Sequence, residues 1–286
     1  MWAVAADTLR SAGAVLTIPA LCVAAGLIAF TALVHRGDRG DVIALLRLAL
    51  VAGTVAVVGT LIEVAGVARL FGEGWGSALT DRAPAALMRL IAAALVVAGL
   101  FEAPELRGAT GRGRWSVNGP GVFAVAGALF GVTSFAFDGH TVSRGPRVAH
   151  AASDVVHVAA ASVWVGGVVG LAVLAWRRRR RAGDEVARLA HTFGRVAAVA
   201  LGAVAAMGVV MAWFVLDTPS DLWASDWGRT LLVKVTLVGA AAALGAHHHF
   251  RPAADVAQLR RTLAIEAGLL VGVLAVTALL VRAAPT

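Results

Sequence analysis

Long apolar stretches alternate with short polar connections along the whole chain. Eight of them are long enough to cross a bilayer as helices, because a hydrocarbon core of about 30 Å needs about 20 apolar residues. They lie at about residues 12–34, 42–68, 84–101, 119–137, 149–176, 190–216, 229–250 and 262–282. These stretches are rich in Ala and Leu and far longer than barrel strands, which favours helices. The pattern therefore predicts an all-α polytopic membrane protein, a bundle of about eight transmembrane helices.

The composition agrees with this prediction. Of the 286 residues, 59% are hydrophobic and 15% are charged, and the mean hydropathy is +0.81. Such a chain has too few polar residues to cover the surface of a soluble domain of this size. The net charge of +8 comes from arginines that stand between apolar stretches. This arrangement is typical of membrane-protein loops in contact with lipid headgroups, and it does not indicate nucleic-acid binding.

The arginines also predict the orientation of the chain. The connections after the first, third, fifth and seventh stretches are rich in Arg, and the fifth is followed by five consecutive arginines at 177–181. By the positive-inside rule these connections are cytoplasmic, and both termini lie on the extracytoplasmic side. The Gly- and Arg-rich stretch 107–121 predicts a division into an N-terminal half, 1–118, with three helices, and a C-terminal half, 119–286, with five.

The fifth stretch contains polar side chains that are costly to place in a membrane. Four of its residues lie within about 80° of one another on a helix, and therefore on one face. They are His150, Asp154, His157 and Trp164. Gly166 and Gly170 lie on the opposite face, where a small-xxx-small pair suits close helix packing. Ionisable residues within a span usually face a cavity or a partner, so this face is the first candidate for a functional site.

Two kinds of role remain open for this polar face. Imidazole and carboxylate groups are ordinary ligands of copper, zinc and iron, and a carboxylate one turn away can orient a histidine ring. Alternatively, Asp154 and His157 bond only to each other or to a neighbouring helix and hold the bundle together. Two histidines and one carboxylate on a single embedded face favour the metal site.

Other spans place further polar or sulfur-containing residues at a similar depth. Met207 and Met211 are one helical turn apart in the sixth stretch, and soft thioethers select Cu(I). The alternative for this pair is apolar packing. Lys234 is the single lysine of the chain. It can extend to the outer interface as an anchor, or form a salt bridge with Glu63 or Asp154. We favour the structural ion pair, because a cation repels a metal ion.

Histidines also occur near the ends of the stretches. His140 precedes the fifth stretch and is a candidate ligand at the entrance of the site. The cluster 247–249 closes the seventh stretch, where a basic cap at a helix C-terminus is favourable without any metal.

Residues 139–252 contain several short motifs in a fixed order. The first group is Gly139-His140, Asp154-x-x-His157 and Trp164-Val165-Gly166-Gly167, and the second is Trp227-Gly228-Arg229-x-Leu231-Leu232-x-Lys234 followed by Leu244-Gly245-Ala246 and Pro252. Together with Thr192-Phe193-Gly194-Arg195 they resemble the CopD family of copper-resistance membrane proteins, over roughly residues 139–282. The cluster 247–249 departs from the Asn-Arg pair that is usual in that family.

The resemblance implies a copper-handling protein of the bacterial plasma membrane that brings copper into the cytoplasm. It supports roles for His140, Asp154 and His157 and, as supporting residues, for Trp164, Arg229 and Lys234. Copper would meet His140 and His150 at the outer mouth and then pass to His157 with Asp154 and, in our interpretation, to Met207 and Met211. The 286 residues include no soluble copper-binding domain, so we expect a separate periplasmic carrier to deliver the ion.

The sequence leaves three alternatives to a copper permease. A b-type cytochrome needs axial histidines at one depth on two facing helices, and His157 and His191 lie at different depths. A copper sensor or scaffold needs the ligands but no exit path. An enzyme is disfavoured, because no nucleophile–base pair, Walker A sequence or aspartyl-phosphate motif is found.

Overall fold

The computed structural model describes residues 2–35, 37–107, 112–113, 115, 117, 119–137, 146–178, 183–250 and 256–282. In these residues, eight helices have the length and composition to cross a membrane. They are α1 (Trp2–Ala29), α2 (Arg39–Phe71), α3 (Pro84–Phe101), α4 (Pro120–Thr133), α5 (Arg147–Arg177), α6 (Gly183–Val215), α7 (Asp226–Phe250) and α8 (Val256–Arg282). The prediction of an all-α polytopic membrane protein is therefore confirmed.

Short elements complete the connections. A π-helical turn, Phe30–Val34, extends α1, and a 3-10 turn, Ser134–Phe137, extends α4. Further turns are Trp75–Ser77, Ala78–Arg82, Pro104–Arg107 and Asp221–Ala224. The two-residue strands Gly37–Asp38 and Arg112–Gly113 pair antiparallel, and they join the connections that follow α1 and α3.

The helix ends follow local chemistry. Pro84 and Pro120 occupy the first positions of α3 and α4, where a missing backbone N–H costs least. The carboxylate of Asp38 caps α2 by accepting a hydrogen bond from the Gly40 N–H at 3.1 Å. At the other end of α2, Gly72 adopts a left-handed conformation with φ of 65°, which glycine tolerates without strain.

The long helices pack around α1. Among the eight, α1 is the most buried and α7 the least. Helix α1 contacts α2, α5 and α8, while α3 pairs with α4, α5 with α6, and α7 with α8. Helices of both sequence halves thus meet at α1, and the division at residue 118 stays a prediction.

The two ends of the bundle differ in the residues that lie there. Eight crossings place the start of α1 and the end of α8 at one end, which we call the terminal end. The arginines at 177–178 lie at the other, which we call the arginine end. There Arg178 donates a hydrogen bond of 2.7 Å from Nε to the buried carboxylate of Asp41 and also pairs with Glu185. These ion pairs join α2 to the end of α5 and the start of α6.

Candidate functional site

A cavity of about 110 Å³ lies in the half of the bundle nearest the terminal end. It is lined by the first part of α5, the last part of α6, the first part of α7, the last part of α8 and the middle of α1. The lining side chains that carry charge, imidazole or sulfur are His150, Asp154, His157, Met211, Lys234 and Cys22. The structure thus brings together residues from four helices that are up to 212 positions apart in the sequence.

The polar face of α5 supplies three of these residues. His150, Asp154 and His157 are 0%, 4% and 8% exposed, and all three line the cavity. They share one face because their spacing matches the helical repeat, as the sequence predicts. We expected His150 at an open mouth, but the structure buries it completely, and its ring packs against Phe214 with 5.3 Å between ring centroids.

A hydrogen bond determines the tautomer of His157. The Nδ1 atom lies 2.9 Å from the carbonyl oxygen of Val204 on α6. Since a carbonyl oxygen only accepts, Nδ1 carries the proton and donates it, and in the neutral ring Nε2 keeps its lone pair. This is the arrangement of a metal-binding histidine whose other nitrogen is held by the protein.

Helix α6 approaches this ring closely because it has glycine at position 208. A Cβ atom at Gly208 would lie 3.4 Å from Cε1 of His157. The absence of a side chain there lets the imidazole lie against the backbone of α6.

Lys234 lies in the same cavity and interacts electrostatically with Asp154. Asp154 is one of the two expected partners, and the ion pair with it stays a prediction. The other, Glu63, lies on α2, where its backbone packs against Gly13 of α1, and it is not among the described residues that line the cavity. The positive charge of Lys234 also acts electrostatically on His157.

The two methionines are separated by the structure. Met211 lines the cavity, whereas Met207, one turn earlier on α6, is not among its described lining residues. Arg229 forms an exposed pair with Asp226 at 2.6 Å at the start of α7, away from the cavity. The predicted ligand His140 lies outside the described residues.

No group of three or more His, Cys, Asp and Glu side chains in the described part of the chain is arranged to hold a metal ion. The cavity instead offers imidazole and carboxylate from α5 together with the thioether of Met211 and the thiol of Cys22. Nitrogen and soft sulfur ligands in one apolar cavity suit Cu(I) better than hard cations such as Mg²⁺ or Ca²⁺.

Glu266 is a buried carboxylate that the sequence analysis missed. It lies within α8, is 3% exposed, and lies close enough to the indole of Trp164 for the two side chains to interact. It lines a second cavity, of about 300 Å³, in the half of the bundle nearest the arginine end. An ionisable residue inside the predicted span 262–282 was the signal that could have identified it.

Comparisons with known proteins agree with the resemblance found in the motifs. Residues 187–280, which contain most of α6, all of α7 and most of α8, match the profile of the family described as "Copper resistance protein D", CopD. Over these residues the chain is similar to the CopD family. The match begins after the end of α5, so the histidines and the aspartate of the polar face lie outside it.

A curated relative extends the comparison. The chain is 28% identical over 192 residues to the copper transport protein CutJ of Bacillus subtilis (strain 168). The aligned region covers 62% of this chain and 34% of that relative, so the chain spans about a third of the relative's length. No solved structure matches the chain.

Proposed function

We propose that this chain is a copper permease of the bacterial plasma membrane, which takes up copper from the extracytoplasmic side through the cavity at the terminal end. The observation that carries the proposal is the convergence of His150, Asp154, His157 and Met211 on one cavity inside the bundle. The CopD match over residues 187–280 and the similarity to a protein described as a copper transport protein support copper as the cargo.

In this proposal each group has a chemical role. Nε2 of His157 is the principal ligand, because the bond from Nδ1 to Val204 leaves it available and holds the ring in place. Met211 adds a soft ligand, which favours Cu(I) over Cu(II). Asp154 offsets the positive charge of the ion and of Lys234. A separate periplasmic carrier supplies the ion at the terminal end.

The cytochrome alternative gains no support from the geometry. Two axial histidines must face each other from different helices. Both histidines among the described lining residues, His150 and His157, lie on α5.

The first experiment is a measurement of bound copper, with an absorption spectrum, on protein purified in detergent. Wild type is compared with His157→Ala and with the control His247→Ala, which removes an exposed imidazole at the end of α7. We expect near-stoichiometric copper in wild type and in the control, and its loss in His157→Ala. A Soret band that disappears in His157→Ala contradicts the permease and identifies a cytochrome.

Transport is tested separately in proteoliposomes. Uptake of copper that depends on His157 supports a permease. Copper binding without uptake leaves a sensor or scaffold and contradicts the permease. Oriented reconstitution shows from which end the ion enters.

A further inference from the structure

The second cavity has a composition different from that of the first. Its described lining residues are mostly apolar, and the charged ones are Glu266 of α8 and the exposed Arg195 of α6. Those contributed by α5 and α7 carry no charge. Nothing in this lining provides the imidazole or sulfur that Cu(I) prefers.

Trp164 lies between the two cavities and lines both of them. Its indole and the carboxylate of Glu266 line the second cavity together, close enough for the two side chains to interact. The side chain shared by the two cavities therefore lies beside the one buried carboxylate among the residues described around the second cavity.

The backbone of α7 holds Glu266 against this indole. A Cβ atom at Gly245 would lie 3.0 Å from Oε1 of Glu266, so α7 packs directly on the carboxylate. Gly245 thus allows an approach that a larger residue would obstruct.

A carboxylate in such surroundings is suited to binding a proton. Burial in a medium of low dielectric constant penalises the charged form, and protonation removes that penalty. Ionisable groups within membrane spans commonly serve as proton relays in transporters. The second cavity extends from Glu266 to residues near the start of α6, such as Ala190, in the half of the bundle nearest the arginine end.

We propose that Glu266 is a proton-binding site, coupled through Trp164 to the copper cavity, so that occupation of one site changes occupation of the other. Glu266 gains or loses one proton, which exchanges with water through the second cavity, and no other bond is made or broken. When Glu266 is ionised, its charge attracts the indole N–H, which is a hydrogen-bond donor, and favours Trp164 in its place between the two cavities. Protonation removes the charge, weakens this attraction and makes the indole freer to move.

The coupling rests on the proposed copper function, but the proton site does not. Linkage requires reciprocity: if protonation of Glu266 changes copper affinity, then copper changes the protonation of Glu266 by the same factor. Two measurements therefore separate the claims.

Infrared difference spectroscopy tests the proton site without any metal. Spectra of the detergent-purified protein at acid and alkaline pH are compared for wild type, Glu266→Gln and the control Glu63→Gln, which removes a carboxylate inside α2. We expect a carboxylic-acid C=O band that titrates in wild type, is lost in Glu266→Gln and persists in Glu63→Gln. Trp164→Phe, which keeps an aromatic ring, should retain the band and shift its frequency. A band unaffected by Glu266→Gln, or no titrating band at all, overturns the proposal.

Proton release on addition of Cu(I) tests the coupling. In weakly buffered solution, wild type and Glu63→Gln should release more protons per bound Cu(I) than Glu266→Gln. Equal release in all three overturns the coupling. A wild type that binds no Cu(I) overturns the copper proposal and the coupling together, while the infrared band still decides whether Glu266 binds a proton.

Discussion

Gly26 of α1 and Gly166 of α5 touch backbone to backbone. A Cβ atom at Gly166 would lie 2.1 Å from the carbonyl carbon of Gly26, and one at Gly26 would lie 1.8 Å from the carbonyl oxygen of Ser162. One turn further along α5, Gly170 packs against the ring of Phe30. The predicted packing face of α5 is thereby confirmed. Since this face is held against α1, the opposite face, with its histidines, is turned toward α6 and the cavity.

Replacement of Gly166 by Leu should force α1 and α5 apart. Overpacking of a well-packed interior typically costs about 1–3 kcal/mol, and a backbone contact cannot be relieved by a change of rotamer. We expect a lower melting temperature in detergent and weaker copper retention. Gly202→Leu is the control, because a Cβ atom at Gly202 meets nothing within 4 Å. Equal melting temperatures for the two variants would show that the close contact between α1 and α5 does not limit the stability of the protein.

Replacement of Met211 by Leu should weaken Cu(I) binding, whereas Met207→Leu should not. The two residues are one turn apart on α6, and only Met211 is among the described lining residues of the cavity. The substitution preserves volume and removes the sulfur ligand. We expect a loss of about tenfold or more in affinity, equivalent to about 1.4 kcal/mol, in competition titrations with a Cu(I) chelator. Similar losses in both variants would contradict the assignment of Met211.

Replacement of Lys234 by Met should strengthen copper binding. Like charges a few ångströms apart repel by more than about 1.4 kcal/mol at the effective dielectric constant of a protein, so the affinity should rise about tenfold. Asp154→Asn should act in the opposite direction. Arg229→Met removes an exposed cation at the start of the same helix and is the control. Weaker copper binding by Lys234→Met would instead make Lys234 a residue that positions the site.

Stability at acid pH should depend on His35, which follows α1 near the arginine end. Burial lowers the pKa of His35 from its ordinary value of 6.5, and the nearby carboxylate of Asp41 only partly opposes this. Arg178 and Glu185 also act on the ring, with opposite effects. The folded protein therefore keeps His35 neutral, while the unfolded chain takes up a proton once the pH falls below about 6.5.

It follows that His35 contributes stability above pH 6.5, which is lost progressively as the pH falls from there toward the lowered pKa. Melting temperatures measured in steps from about pH 8 to about pH 5 should show this decline in wild type. His35→Phe should flatten the profile, whereas His191→Phe, at an exposed position on α6, should leave it unchanged. A wild-type profile without a decline below pH 6.5 would contradict the assignment.

The spans and the polar face of α5 were predictable from the sequence because both depend on local properties. Bilayer thickness and side-chain hydropathy determine where a helix crosses, and α3 has the predicted bounds, 84–101. The helical repeat alone places His150, Asp154 and His157 on one face. Helix α1 begins at Trp2, ten residues before the predicted apolar stretch, because mixed polar and apolar residues can continue a helix beyond the hydrophobic run.

The tertiary structure decided which helices contribute to the cavity and by which residues. In the sequence pattern, Met207 and Met211 are equivalent candidate ligands, and Glu63 and Asp154 are equivalent candidate partners of Lys234. Only the packing and rotation of the helices place Met211 and Asp154, of these four, among the described lining residues of the cavity. That rotation is set by contacts between distant residues, such as Gly26 with Gly166 and Nδ1 of His157 with Val204. The link between Glu266 and Trp164 has the same origin. Hydropathy and periodicity act within one helix, and they carry no information about which faces of two helices will meet.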